Sequence, residues 1–175
     1  MASWTSITGP PALTHAAGDT LSVSDWNNVV NNEQFLYQAP YGIFSAASVQ
    51  SVGSGAYTVM HLFAASVNYG VGQTGYAAST SVAGIYRVSG TVSIAAASAG
   101  GLTALIFKNG AQQFQGGEAK IDSFYGATAT VEGLVYMNGS SDYVNLQAFQ
   151  WYSSALNTGG NAQNTFMHIN FVGSA

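Results

Sequence analysis

From Tyr41 onward, hydrophobic positions recur with a period of two. Tyr86, Val88, Val92 and Ile94 alternate with Arg87, Ser89, Thr91 and Ser93, the pattern of a strand with one buried face. The same alternation places Ala129, Val131, Gly133 and Val135 on one face of Thr128–Met137. It does so for Val144, Leu146 and Ala148 in Tyr143–Trp151, and for Met167, Ile169 and Phe171 in Thr165–Val172. Tyr57–Phe63 is apolar on both faces, which predicts a strand covered on both sides. Leu102–Lys108 runs into Asn109-Gly110, a two-residue hairpin signal because both central positions need positive φ. Ala111–Gln115 is then its partner strand. Asn138-Gly139 marks another turn, and Gly100-Gly101, Gly116-Gly117 and Gly159-Gly160 read as turn glycines at strand ends. Short strands spaced by turns, with no helix between them, predict an antiparallel sandwich rather than a parallel sheet.

Before Tyr41 the pattern changes. Met1–Gly18 is a polar arm that Pro10 and Pro11 hold extended. Trp4 and Ile7 lie on it without an evident partner; they either fold back on the domain or anchor another protein. Ser24–Tyr37 has helical spacing, with Trp26, Val29, Val30, Leu36 and Tyr37 on one stripe. Ser24 serves as N-cap and Asp25 suits the positive end of the helix dipole. Pro40 ends the element. Asn is a poor interior helix former, so this helix needs packing, on its own domain or on a partner. The expected organisation is an N-terminal arm and helix over 1–40, used for attachment, and a β-sandwich over 41–175.

Composition sharpens this picture. Only 6% of residues are charged, against about 25% in an average domain. Three basic and seven acidic residues give a net charge of −4. Such a surface is expected to be covered by partner subunits; a neutral polar surface on a secreted or thermostable protein is the alternative. No basic run tracks a nucleic-acid backbone, no stretch of 18 apolar residues spans a membrane, and no basic-then-apolar start suggests an export signal. Cysteine is absent, which excludes disulfides and thiolate ligands. Three Trp, ten Tyr and nine Phe exceed what one small core can hold, so aromatic subunit faces are expected.

Catalytic chemistry has little to work with. Of the histidines, His15 lies on the arm, and His61 and His168 sit among apolar neighbours as structural, hydrogen-bonded residues. Glu118 and Asp122 are close in sequence but flank Lys120 in what reads as a solvated loop. No nucleophile elbow, phosphate loop or metal-ligand spacing occurs. No enzyme activity, cofactor or metal is expected.

Several segments in order carry a family resemblance. Ser81-Val82-Ala83-Gly84-Ile85-Tyr86-Arg87-Val88-Ser89-Gly90 resembles entry into a long aromatic-bearing strand. Leu105-Ile106-Phe107-Lys108-Asn109-Gly110 resembles the hairpin that follows. Val131–Asp142 resembles the next strand and its polar turn, and Thr165-Phe166-Met167-His168-Ile169-Asn170-Phe171 a closing strand. Together they are similar to the complement/tumour-necrosis-factor jelly roll, related domains of which occur in bacteriophage fibre and head proteins. Gly139-Ser140-Ser141-Asp142 is a loosened version of the family's Gly-Asp pair and no collagen-like stalk is present, so no receptor or calcium site is carried over. Separately, Leu21–Val30 followed by Phe35–Pro40 resembles a segment at the start of phage structural proteins.

The resemblance implies an all-β antiparallel jelly-roll sandwich with a short arm and one helix, assembled as a homotrimer. It also implies a virion structural protein on the capsid surface, made in the host cytoplasm. Such a decoration, cement or head-fibre protein would bind the major capsid protein or another virion protein. Trp4, Ile7, Trp26 and Val30 are the candidate capsid anchors. Tyr57, Tyr143 and Phe149 are candidate subunit contacts, with ordinary core or stray exposed aromatics as the alternative. The rival expectation is a tail-fibre tip or adhesin that binds host glycans through Trp151, Tyr152 and the loop to Asn164.

Overall fold

Residues 39–158 and 164–174, with Trp26, Asn27 and Val30, are described by a computed structural model. The chain divides into two units, Met1–Ala39 and Pro40–Ala175. In the first, Trp26, Asn27 and Val30 are helical and exposed. The arm with Trp4, Ile7 and His15, and the rest of the helix predicted over Ser24–Tyr37, lie outside the described residues.

The second unit is built of antiparallel strands. They are β1 (Tyr41–Ala46), β2 (Ser51–Val52), β3 (Thr58–Val59), β4 (Leu62–Tyr69), β5 (Val71–Thr74), β6 (Ala77–Thr80) and β7 (Ala83–Ile94). These are followed by β8 (Gly101–Lys108), β9 (Ala111–Gln115), β10 (Ala119–Lys120), β11 (Ala127–Asn138), β12 (Tyr143–Gln150), β13 (Leu156–Asn157) and β14 (Phe166–Gly173). One sheet has five strands in the order β11-β7-β14-β1-β4. The second has seven: β10-β8-β12-β6-β5, with β3 beside β12 and β9 beside β8. The long strands β7, β8, β11, β12 and β14 fall alternately in the two sheets, which is jelly-roll winding.

The core fills the space between the sheets. Tyr86, Val88, Val92, Met137, Met167 and Ile169 of the five-stranded sheet are buried with Leu102, Ile106, Val144, Leu146 and Ala148 of the other. The predicted alternations of β7, β11 and β14 appear in the burial patterns; in β12, Val144, Leu146 and Ala148 face the core as expected, but Asn145 and Gln147 between them are buried too. Gly90 makes the fit possible, since a Cβ there would stand 2.4 Å from Leu146 Cδ1. The Tyr86 hydroxyl donates to the Val82 carbonyl at 2.8 Å, and burial pushes its pKa up to about 12.

Polar side chains fix the ends of the strands. Asn109 and Gly110 take φ of 51° and 80°, as the predicted hairpin turn requires. The Asp142 carboxylate then joins the β8–β9 hairpin to the β11–β12 turn, which passes from one sheet to the other. It accepts from the Asn109 amide (2.7 Å) and the Asn138 N–H (2.9 Å) and pairs with Lys108 Nζ at 2.8 Å. Burial alone would raise the Asp142 pKa, but Lys108, Asn109 and Asn138 together hold it below the usual aspartate range.

Three expectations are corrected. Tyr57–Phe63 is not one strand: the chain breaks at Met60-His61, leaving the seven-stranded sheet after β3 and entering the five-stranded sheet at β4. The Gln50 side chain bridges the break, donating to the Val59 carbonyl (2.6 Å) and accepting from the His61 N–H (2.8 Å). His61 is therefore an exposed residue stacked on Tyr76 (3.9 Å, 14°) rather than a mid-strand core residue. Gly101 and Gly116 do more than permit turns: Gly101 lies within β8, and a Cβ at either would strike another side chain or backbone.

Candidate functional site

The outward face of the five-stranded sheet carries several exposed large apolar side chains. Tyr69, Tyr41, Asn170, Arg87 and Leu134 form one row across it by register. Phe63, Ser45, Phe166, Thr91 and Thr130 form another, and Ile43, His168, Ser89 and Glu132 lie between them. Leu134 is 56% exposed and Tyr136 50%; Tyr41, Phe63, Tyr69 and Val172 are exposed as well. His168 is half-buried on this face with its ring 5.0 Å from that of Phe166. The charges on these rows are Arg87 and Glu132, which pair at 3.4 Å in the open, an arrangement worth at most about 1 kcal/mol.

The outward face of the seven-stranded sheet is different. β8 is buried on both sides: Thr103, Leu105 and Phe107 are as enclosed as the core residues between them. Thr103 Oγ1 has no hydrogen-bond partner. Tyr57 packs against Phe107 (5.5 Å between ring centroids) and Phe149 (5.3 Å), and Phe149 against Trp151 (5.7 Å). The Tyr57 hydroxyl lies 3.5 Å from Gln112 Oε1. Asn145 and Gln147 stand on this face and bond to each other at 3.2 Å. Trp151 is 41% exposed.

A third feature is the loop between β10 and β11. Phe124 and Tyr125 at its tip are 84% and 93% exposed, the two most exposed large apolar side chains among the described residues. The tip is nonetheless ordered. Asp122 Oδ1 accepts from the Phe124 N–H (2.7 Å) and the Tyr125 N–H (3.0 Å), and Asp122 and Gly126 exchange backbone hydrogen bonds at 2.8 and 3.1 Å. The N–H bonds from Phe124 and Tyr125 hold the Asp122 carboxyl below its ordinary pKa. The signal for this tip was present in the sequence: an Asx-turn residue, two adjacent aromatics, then Gly.

The candidate residues from sequence separate accordingly. Tyr57 and Phe149 come together, and Tyr143 lies further along the same outward face of β12. Trp151 joins that group, whereas Tyr152 packs against the core; the expected Trp151–Tyr152 pair thus points two ways. Trp26 and Val30 are exposed in the first unit. Glu118 and Asp122 serve different places, the first over Gly101 and the second inside the loop turn. A shallow depression of about 360 Å³ lies among Gly90, Gly116, Val131 and Glu132. Its one carboxylate is the Arg87 partner.

No family model matches this sequence, and no curated protein does. Solved structures do match in fold. Murine APRIL at pH 5.0 superposes with a TM-score of 0.57 and 12% identity, over 77% of this chain and 99% of that one. Eiger TNF from S. frugiperda gives 0.56 and 8%, over 78% and 95%. PRD1 vertex protein P5 gives 0.56 and 16%, over 78% and 98%. At such identities the likeness is one of fold alone: the chain carries a tumour-necrosis-factor-like jelly roll.

Proposed function

We propose that this chain is a virion structural protein, a capsid decoration, cement or head-fibre protein of a bacteriophage. It trimerises through the outward face of the five-stranded sheet and is tethered to the capsid lattice by its N-terminal unit. The observation that carries the proposal is that face, with Tyr41, Phe63, Tyr69, Leu134 and Tyr136 exposed together and one ion pair among them. Large apolar side chains exposed on one sheet face suit an interface, and burying them contributes about 25 cal/mol per Å². The scarcity of charge (6%) fits a surface covered by neighbours. PRD1 vertex protein P5 shows that the fold occurs in a virion protein.

Trp4, Ile7, Trp26 and Val30 are the proposed capsid anchors, and the rigid Phe124–Tyr125 tip is a further contact that needs little ordering on docking. Three tethered copies bind multivalently, so weak single contacts suffice. Tyr57, Tyr143 and Phe149 offer the rival subunit face. The test is co-sedimentation with purified particles of the phage that encodes the chain. The full-length protein should bind, and Trp4→Ala with Trp26→Ala should abolish binding while leaving the oligomer intact. Undiminished binding by that double variant would remove the anchor assignment, and failure of the unaltered protein to bind any particle would remove the capsid role.

A further inference from the structure

We infer that the outward face of the seven-stranded sheet is a carbohydrate-binding site centred on the Trp151 indole and the Glu118 carboxylate. Three observations converge on it.

The first is the seat of the indole. Gly101 stands on the outward face of β8, and a Cβ there would lie 2.4 Å from Trp151 Cζ2 and 2.5 Å from Glu118 Oε1. The indole and the carboxylate therefore share the space that any other residue would fill. An aromatic face beside a hydrogen-bond acceptor is what a pyranose ring needs: its C–H face packs on the ring while vicinal hydroxyls donate to the carboxylate. Lys120, opposite Gly101 in the β8–β10 ladder, adds donors at the rim.

The second is extent. From Trp151 the rings continue to Phe149 at 5.7 Å and to Tyr57 at 5.3 Å, steps comparable to one sugar residue. An exposed amide flanks the track, Gln112 at the Tyr57 hydroxyl, while Gln147 on β12 is buried and bonded to Asn145. The exposed amide both donates and accepts, as a hydroxyl-rich ligand requires. A purely apolar partner would desolvate the exposed Glu118 carboxylate beside the indole, which disfavours a membrane or a greasy protein surface.

The third is preorganisation. Gln150, fully buried, donates to the carbonyls of Val52 (3.2 Å) and Ser154 (3.0 Å) and accepts from the Tyr152 N–H (2.6 Å). The Trp151 N–H donates to the Gly101 carbonyl at 3.2 Å, and the Gly55 N–H to the Gln150 carbonyl at 2.8 Å. The segment leading to Tyr57 and the residue carrying the indole are thus fixed to one another before any ligand arrives, which lowers the ordering cost of binding.

The experiment is a glycan array probed with the full-length protein. Titration of Trp fluorescence with an N-acetylglucosamine tetramer, maltohexaose and a sialylated lactose follows. At least one array sugar should bind and perturb the indole emission. Trp151→Ala should weaken that binding about tenfold or more, and Glu118→Gln should weaken it by a smaller factor with circular dichroism unchanged. If Trp151→Ala fails to fold, Glu118→Gln and Gln112→Ala decide. No array signal from the unaltered protein overturns the inference, as does binding that these substitutions leave untouched. Neither result bears on capsid co-sedimentation.

Discussion

The two sheets bury the same kind of inner face and present opposite outer ones. Outside the five-stranded sheet, large apolar groups stand in rows separated by Ser, Thr and one exposed ion pair. Outside the seven-stranded sheet, rings are seated on glycine or on each other and are flanked by Gln, Asn and Glu. The polar groups of the first surface, among them Asn170, His168 and Thr91, lie between large exposed apolar side chains that gain from being covered by another sheet. The second sets ring faces beside an exposed carboxylate, Glu118, which a flat apolar cover would desolvate. Exposed aromatic content alone does not say what a surface binds; the polar groups between the rings do.

The largest expected effect comes from the joint between the β8–β9 hairpin and the β11–β12 turn that links the two sheets. Asp142→Ala strands Lys108 and the Asn109 and Asn138 donors, and is expected to cost about 3 kcal/mol of stability. Urea denaturation checks it, and both faces should lose function together. Next, Leu134→Asp with Tyr136→Asp should weaken self-association about a hundredfold with sugar binding per subunit unchanged, by light scattering and fluorescence titration. Gly101→Val does the converse: it displaces the indole, costs about 2 kcal/mol, and removes sugar binding while the oligomer persists.

A smaller effect is one of pH. Because the folded Asp142 has a lowered pKa, its contribution is complete above the ordinary aspartate value of 3.8. It declines as pH falls through the lower folded value. Acid titration of stability should therefore show a downward slope below about pH 4 that Asp142→Asn flattens. Smallest is Arg87→Ala, within about 0.5 kcal/mol in the dissociated monomer. A clearly larger loss in the oligomer would show that the pair is desolvated at the interface.

Much of the fold was legible because one-sided burial imposes a period of two. β7, β11 and β14 each showed it, and Asn109-Gly110 fixed a hairpin. Tyr57–Phe63 misled for the complementary reason: with apolar groups on both faces, periodicity cannot report that the chain changes sheets at Met60-His61, and the Gln50 clamp that turns it lies well upstream. The ligand surface was half legible. Trp151 stood out beside a polar loop, but Glu118 reaches it only through the β8–β10 pairing, and Gly101 looked like a turn glycine. Tyr152 was paired with Trp151 by adjacency, although neighbours on an extended chain face opposite ways. Which aromatics share a face depends on strand order, and no local pattern encodes that order.

Sedimentation equilibrium of the full-length protein and of its Leu134→Asp, Tyr136→Asp variant probes the central claim most directly. The native chain should run as a trimer and the variant as a folded monomer. A native chain that stays monomeric at high micromolar concentration, or a variant that still trimerises, would contradict the assignment of the five-stranded face as the place where copies meet.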